Sequence, residues 1–183
     1  MTTRPAFRFG GRLALDLTWT VRFRSVAPTE LLVGPGDLDR WLVAAGFTPG
    51  DGRSDGAGLD LARALREAVD RSARRRIEGR RMAGTDVDTI NDAADHAPPL
   101  PRLTRTGQVV VAAHVRSALA AVAHDAIDLL GTDHHGRLRV CEGDRCALLF
   151  VDDSRPGRRR WCSVEVCGNR ANTARYRTRR SSG

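Results

Sequence analysis

Apolar residues recur at helical spacing along much of the N-terminal part of the chain. The strongest series begins at Leu59, and its members follow one another at intervals of three or four residues, which predicts an amphipathic helix of about five turns. The series consists of Leu59, Ala62, Leu65, Val69, Ala73 and Ile77. The other face of this helix carries Arg63, Arg66, Arg74 and Arg75.

Two shorter helices are predicted on either side of this one. The segment "GDLDRWLVAAGF" offers Asp37 as a helix cap, apolar residues at helical spacing and Gly46 as a stop. The segment "GTDVDTINDAADHA" predicts a helix that begins at Thr85 and ends before the prolines at 98, 99 and 101. Between the first of these and the long helix, the glycine-rich stretch "TPGDGRSDGAG" predicts a loop.

A strand pair and another long helix follow. The segment "LTRTGQVVVAA" predicts a short strand, a turn at Thr106–Gly107 and a second strand. From Val115 the pattern predicts a long buried helix that ends at Gly131. Its apolar series is Leu119, Val122, Ala126, Ile127 and Leu130. We therefore expect an α+β, mainly α fold, with a helical N-terminal domain that contains one short β-hairpin.

Charge divides the chain into two parts. The net charge is +8, and every one of the thirty basic residues is an arginine. Residues 1–136 contain eighteen arginines and seventeen acidic residues, whereas residues 137–183 contain twelve arginines and five acidic residues. All four cysteines lie in the second part. We predict an independently folded domain over residues 1–136 and a small basic module over residues 137–183, joined by the polar hinge "GTDHHG".

The sequence predicts a cytoplasmic protein. Its longest purely apolar runs, such as "ALAAVA" at 118–123, have about six residues, far fewer than the roughly 20 that a membrane-spanning helix needs. The opening "MTTRPAFRFGGRLALDL" lacks the apolar stretch of a signal peptide. In a reducing compartment, clustered cysteines bind metal more often than they form disulfides.

The cysteines form two C-x4-C pairs with fifteen residues between the pairs. Two close pairs joined by a short loop bring four sulfur atoms around one tetrahedral ion, as in a zinc ribbon. We predict one structural zinc ion per chain, with the ligands Cys141, Cys146, Cys162 and Cys167. Four thiolates leave no open position for water, so we expect no catalysis at this metal.

Other uses of these cysteines have weaker support. An iron–sulfur cluster also takes four cysteines, but the symmetric pairs favour zinc. Two disulfides are disfavoured by the compartment. A nucleophilic Cys162 would be favoured by the arginines at 158–160, yet no histidine follows Cys146 to act as its base. The sequence also contains no Ser-His-Asp arrangement, phosphate-binding glycine loop or dinucleotide fingerprint, and we therefore predict that the protein is not an enzyme.

The C-terminal segment "CEGDRCALLFVDDSRPGRRRWCSVEVCGNRANTARYR" resembles the CGNR zinc-finger family, which is named after the tetrapeptide at 167–170. The match covers both cysteine pairs, the F-x-D-x-S element of Phe150, Asp152 and Ser154, the RRWC block and the basic segment after CGNR. In that family the finger follows a helical region known as the ABATE domain, described as a stress-induced transcription regulator. The opening "GGRLALDLTWT" is similar to the start of that domain, with Trp19 in place of the asparagine of an L-D-F-x-N-T-like pattern. The resemblance implies a DNA-binding zinc finger on a regulator.

The basic end of the chain is the candidate binding surface. The segment "GNRANTARYRTRR" predicts a basic helix capped by Asn169. Arginine binds phosphate oxygens and guanine edges through its rigid fork, and tyrosine stacks on a base or sugar. The candidate nucleic-acid-binding residues are Arg158, Arg159, Arg160, Arg170, Arg175, Tyr176 and Arg179. The simpler interpretation is a solvated, partly frayed C terminus.

These features together predict a transcriptional regulator that binds nucleic acid, with double-stranded DNA as the first candidate. We expect its helical region to bind a small-molecule effector or to form a homodimer, and we expect no membrane partner. Two alternatives are a zinc-stabilised module that docks on an acidic protein surface and an RNA-binding protein. A further alternative is an enzyme whose site lies between the N-terminal helices.

Overall fold

The computed structural model describes residues 7–50 and 52–173. Within those ranges the chain forms five α-helices and eight short strands. In chain order they are α1 (Leu13–Thr18), β1 (Val21–Arg22), β2 (Thr29–Glu30), α2 (Pro35–Ala44), β3 (Thr48–Pro49), α3 (Gly56–Ile77), α4 (Gly84–Ala94), β4 (Arg102–Leu103), β5 (Val109–Val110), β6 (Ala112–Ala113), α5 (Val115–Gly131), β7 (Leu138–Val140) and β8 (Leu149–Val151). The mainly helical α+β fold predicted from the sequence is confirmed.

The core lies where α1, α3, α4 and α5 pack against one another. Helix α3 buries the apolar series that predicted it from Leu59 to Ala73, and Ile77 packs at the edge of the core. Helix α2 closes one side with Trp41, which is fully buried. These helices form because their apolar residues share one face, and that face is stable only when it is removed from water.

The predicted helix starts are shifted by a few residues. Helix α2 begins at Pro35 after Gly34, and Asp37 acts from the first turn: its Oδ2 accepts hydrogen bonds of 2.9 Å from the backbone N–H groups of Val33 and Gly34. Helix α4 begins at Gly84, one residue before the predicted start. Glycine and proline therefore set the start of α2, while the aspartate satisfies backbone donors there.

The short strands connect the helices. The predicted hairpin is confirmed as β4–β5, in which Leu103 pairs with Val109. Strand β3 runs parallel to β6, with Thr48 opposite Ala112, so the loop after α2 is tied to the segment before α5. Strands β1 and β2 form a second antiparallel pair, and β7 and β8 form a third.

Two residues lie in environments that the sequence pattern did not predict. Ile127 was expected to be buried with the rest of the apolar series of α5, but it is 42% exposed. It lies at the margin of the face formed by Leu119, Val122 and Ala126. Leu129, which the series did not include, is buried. Arg66 belongs to the charged face of α3, yet it is only 4% exposed. Its guanidinium is enclosed because Glu30 of β2 and Glu67 both contact it.

The hairpin β7–β8 packs directly on the helices. A 3-10 turn (Asp133–Arg137) replaces the predicted polar hinge and leads straight into β7. Leu138 and Leu149 are each 1% exposed and belong to the same apolar cluster as the helices. Independent folding of residues 1–136 stays a prediction. Because Leu138 and Leu149 cover part of the helical core, a fragment without the hairpin would expose that part to water.

Candidate metal centre and basic surface

The first cysteine pair lies in a tight turn after β7. The backbone N–H of Cys141 donates to the carbonyl oxygen of Leu148 at 2.8 Å, which continues the β7–β8 ladder to the ligand. The N–H of Cys146 donates to the carbonyl of Gly143 at 3.0 Å and closes the turn. Arg145 and Ala147 have φ of 63° and 52°, in the left-handed region of backbone conformation. We call this turn, which carries Cys141 and Cys146, the first knuckle. The strand pair thus positions both cysteines of the first pair.

The second pair is held by a π-helical turn, Val164–Gly168, with Cys162 two residues before the turn and Cys167 within it. Ser163 accepts hydrogen bonds through its carbonyl oxygen from the N–H groups of Cys167 (3.0 Å) and Gly168 (3.1 Å). Its hydroxyl oxygen accepts one from Val166 at 3.2 Å. A single serine therefore shapes the turn that carries Cys167 back towards Cys162.

The four sulfur atoms form a compact cluster, and all lie within 4.8 Å of one another. The Sγ of Cys162 lies 3.7 Å from that of Cys146 and 3.8 Å from that of Cys167. A zinc ion with four Zn–S bonds of about 2.3 Å places neighbouring sulfurs about 3.8 Å apart. The geometry fits one tetrahedral zinc ion in a closed, structural site.

Backbone amides also point at this cluster. The N–H groups of Gly143 (3.4 Å) and Cys162 (3.3 Å) donate to the Sγ of Cys141. Hydrogen bonds from the Cys146 and Cys162 thiols lower the pKa of Cys141. The same contacts with Cys141 and Cys146 raise the pKa of Cys162, and burial raises the pKa of Cys167 to about 12. Four thiolates within 4.8 Å of one another repel each other, so a bound cation favours the ionised form of all four.

Gly143 leaves the space in which the second pair approaches the first. A Cβ atom at this position would lie 3.0 Å from Cβ and 3.1 Å from Sγ of Cys167, and 3.3 Å from Sγ of Cys141. Such distances are too short for ordinary van der Waals contact. A side chain at 143 would therefore have to displace the cysteine atoms by a few tenths of an ångström, so the sulfur cluster favours glycine here.

Trp19, which follows α1, belongs to the core of the finger. It is 7% exposed and packs with Leu148, Phe150 and the metal-binding cysteines in one apolar cluster. Its indole Nε1–H donates to the carbonyl oxygen of Leu149 at 2.7 Å. The sequence indicated only that Trp19 departs from the expected pattern; the structure assigns it to the contact between the two parts of the chain.

A chain of ion pairs reaches the first knuckle from α3. Arg74 binds Asp70 through Nε at 2.8 Å and donates from Nη2 to the carbonyl oxygen of Ala147 at 2.9 Å. Ala147 follows the ligand Cys146 directly. Arg24 contacts the other oxygen of Asp70 at 3.5 Å. The hydrogen bond from Arg74 to Ala147 fixes the backbone of the first knuckle. No signal in the sequence distinguished Arg74 from the other arginines of α3.

The same chain continues along α3 away from the finger. Glu67 accepts two hydrogen bonds from Arg24, at 2.7 and 3.0 Å, and one from Arg66 at 2.8 Å. Burial alone would raise the pKa of Glu67, but these two arginines outweigh it and lower the pKa. Arg66 in turn binds both carboxylate oxygens of Glu30, at 2.7 and 2.6 Å. The β1–β2 hairpin, α3 and the knuckle are thus linked by paired charges.

The F-x-D-x-S element organises the loop between the cysteine pairs. Asp152 is fully buried, and its carboxylate accepts from the backbone N–H and hydroxyl of Ser154 and from the backbone N–H of Arg159. The hydroxyl bond is the main reason that the pKa of Asp152 is lowered. The arginine loop is therefore held in a defined conformation by a buried carboxylate.

The three loop arginines have different surroundings. Arg158 is exposed and makes no hydrogen bond or ion pair within the described part of the chain. Arg159 donates to the carbonyl oxygens of Trp161 (2.8 Å) and Cys162 and stacks on Phe150, so its side chain holds the loop together. Arg160 forms an ion pair with Glu142 and lies over the ring of Trp161.

Arg170 is exposed in the helical residues 169–173 that follow the π-helical turn. Three other predicted contact residues, Arg175, Tyr176 and Arg179, lie outside the described residues. Within the described part of the finger, the exposed arginines whose side chains make no hydrogen bond or ion pair are Arg145, Arg155, Arg158 and Arg170. The contact residues predicted from the sequence include Arg158 and Arg170 but not Arg145 or Arg155.

Comparison with known proteins gives two family matches. Residues 11–133 match the ABATE family model, described as "Putative stress-induced transcription regulator". Residues 137–180 match the model of the CGNR zinc finger. No curated protein matches the chain. In residues 7–50 and 52–173, none of the helices combines the length and the apolar character needed to cross a membrane.

Proposed function

Since the chain belongs to the ABATE family and carries a CGNR zinc finger, we propose that it is a transcriptional regulator that binds double-stranded DNA through the finger. The observation that carries the proposal is the set of four exposed arginines without an intramolecular partner on the described part of the finger. Arginine that is not neutralised within the protein is free to bind phosphate oxygens and to release the counterions that surround DNA.

The proposed role of zinc is to hold these arginines in place. The four thiolates and the ion carry a formal charge of −2, which by itself disfavours contact with phosphates. A purely cationic tail would bind better without that charge. We propose that the finger binds through the fixed positions of its arginines, since Asp152 and Arg159 order the loop on which Arg155 and Arg158 lie.

The composition of residues 174–183 makes them further candidates for contact with nucleic acid. Residues 174–183 contain four arginines, one tyrosine and no acidic residue. Arg175, Tyr176 and Arg179 remain proposed contacts on that ground, with tyrosine available for stacking and arginine for phosphates or guanine edges. Arg160 is a weaker candidate because Glu142 already neutralises it.

The proposed role is binding and not catalysis. Four cysteine ligands complete a tetrahedral zinc site, so the ion has no position for a substrate or an activated water. The two alternatives are an RNA-binding protein and a protein-interaction module that docks on an acidic surface. In both alternatives the same arginines form the binding surface, but the partner is RNA or an acidic protein instead of duplex DNA.

The deciding experiment compares partners across a salt series. Fluorescence anisotropy of the zinc-loaded full chain would be measured with a random duplex, a single-stranded DNA, a duplex RNA and an acidic peptide. If four or five phosphates are contacted, the logarithm of duplex affinity falls with the logarithm of salt concentration at a slope of about −4. Tighter binding to RNA, or to the acidic peptide with no duplex binding, would instead support the corresponding alternative.

A further inference from the structure

A cavity of about 410 Å³ opens beside α2, on the helical part of the molecule. It lies between the C-terminal half of α2, the parallel pair β3–β6 and the start of α5. Among the described residues, none of the cysteines and no other part of the finger lines it. Its volume is within the range of about 300–1,000 Å³ that is usual for small-molecule sites.

The floor of the cavity is apolar. Leu42 and Phe47 form part of the main core, being 7% and 8% exposed, and they present their remaining surface here together with Val115. The small side chains of Ala44 and Ala113 leave the space open. Water makes few hydrogen bonds to such a floor, so the cavity favours a ligand with an apolar or aromatic body.

Hydrogen bonds fix both walls before any ligand binds. On one side the N–H of Thr48 donates to the carbonyl of Val111 at 2.8 Å, and that of Gly50 to the carbonyl of Ala113 at 3.0 Å. On the other side Oδ1 of Asp39 accepts from the backbone N–H (2.9 Å) and the hydroxyl (2.5 Å) of Ser54. The cavity is thus preformed, which lowers the entropic cost of binding.

The charged groups at the rim are two arginines and one aspartate. The carboxylate of Asp39 is engaged by Ser54, and Arg40 is held by Asp37 at 2.6 Å and by the ring of Phe7. Arg53 is exposed and makes no hydrogen bond or ion pair with any described residue. A guanidinium without a partner among the described residues, beside an apolar cavity, favours a ligand with one negative group.

We infer that this cavity binds a small amphipathic anion: an aromatic or branched aliphatic body that fills the apolar floor, with one carboxylate or sulfonate group paired with Arg53. The site is separate from the finger and does not depend on DNA binding. It gives the helical part of the molecule a ligand class of its own.

Two fluorescent probes of similar shape test the inference. 8-Anilinonaphthalene-1-sulfonate carries the negative group, and N-phenyl-1-naphthylamine lacks it. Both would be titrated into the zinc-loaded full chain without nucleic acid, so the outcome is independent of the proposed DNA binding. Arg53→Ala should weaken the anionic probe by about five- to tenfold and leave the neutral probe unchanged within about twofold. Arg105→Ala, an exposed arginine on the β4–β5 turn, is the matched control and should change neither.

A second variant tests the cavity itself. Ala44→Trp places a large side chain at the wall and should weaken both probes by about tenfold or more, because it removes the space that the ligand body needs. Circular dichroism and zinc content would confirm that each variant is folded. Unchanged binding of both probes to Ala44→Trp, or equal effects of Arg53→Ala on the two probes, would overturn the inference.

Discussion

The indole of Trp19 donates a hydrogen bond of 2.7 Å to the carbonyl oxygen of Leu149, across 130 residues of sequence. Both residues are buried, so neither group can exchange this bond for one with water. Leu149 belongs to β8, whose partner strand leads into the first cysteine of the metal centre. A residue next to the first helix thus takes part in building the zinc finger.

Replacing Trp19 should weaken both folding and zinc binding. In Trp19→Phe the carbonyl of Leu149 loses its buried donor, which costs about 1–3 kcal/mol in the free energy of unfolding. Urea unfolding and competition with a chromophoric chelator measure the two effects. Trp41→Phe is the matched control, since the buried Nε1 of Trp41 has no hydrogen-bond partner among the described residues. Equal zinc affinities of the two variants would show that the Trp19 contact does not support the finger.

A methyl group at position 143 should disturb the metal centre. The Cβ of Gly143→Ala would lie 3.0–3.3 Å from atoms of Cys167 and Cys141, so the two cysteine pairs must move apart. We expect zinc affinity to fall by about tenfold, which corresponds to about 1.4 kcal/mol. Gly136→Ala has open space around the new atom and should leave the affinity unchanged. Chelator competition on both variants decides the matter.

Loss of a ligand should remove the metal. Native mass spectrometry of the purified chain is expected to show the mass of one zinc ion, and Cys162→Ser should abolish that shift.

Removing zinc also removes the −2 charge of the cluster, so the apo chain is more positive. We nevertheless expect weaker duplex binding without zinc, because the arginines lose their fixed positions. Equal binding by the apo chain would identify a nonspecific cationic tail and favour the protein-interaction alternative.

Neighbouring arginines of the finger should respond differently to truncation. Arg158→Ala removes a free cation and should reduce the slope of duplex affinity against salt by about one unit, with little change in stability. Arg159→Ala removes the donor to Trp161 and Cys162 and the contact with Phe150, so it should lower the free energy of unfolding by about 1–3 kcal/mol. Salt-series anisotropy and urea unfolding of both variants separate the roles. Identical behaviour of the two would contradict the assignment.

The buried carboxyl of Asp16 predicts a pH dependence of stability. Burial raises its pKa from 3.8 to about 6, against hydrogen bonds from Gly10 and Gly11 that lower it. The folded state therefore holds this proton more tightly than the unfolded state. Its contribution to stability is fully present below about pH 4 and is lost as pH rises through about 6, by on the order of 2–3 kcal/mol.

The variant Asp16→Asn isolates that contribution. Asparagine keeps an acceptor oxygen for Gly10 but does not titrate. Between pH 4 and 7 the unfolding free energy of the natural chain, minus that of the variant, should therefore fall as pH rises. Urea unfolding at each pH gives this difference, in which the zinc site's own pH dependence cancels. A flat difference would show that Asp16 is ionised throughout the range.

Local patterns in the sequence were sufficient for helices α2 to α5 and for the metal ligands, whereas the short helix α1 was not predicted. The spacing of Leu59, Leu65 and Val69 places them on one face of α3 whatever packs against it, because helix geometry is set by bonds between nearby residues. The two C-x4-C pairs likewise predicted the sulfur cluster, since a tetrahedral ion requires four thiolates within a small distance. Helix geometry thus fixes which residues share a face, and coordination chemistry fixes which residues hold the metal.

The contacts that join distant segments were decided only by the tertiary structure. Nothing in the sequence near Trp19 indicates Leu149 as its partner, and nothing in α3 distinguishes the buried Arg66 or the knuckle-binding Arg74 from the other arginines. Ile127 has the apolar character of a core residue but is exposed, because the neighbouring helices cover an adjacent part of α5. Such outcomes depend on which surfaces meet and which buried polar groups find partners. The sequence by itself therefore determined helices α2 to α5 and the zinc ligands, whereas packing determined how the helical part holds the finger.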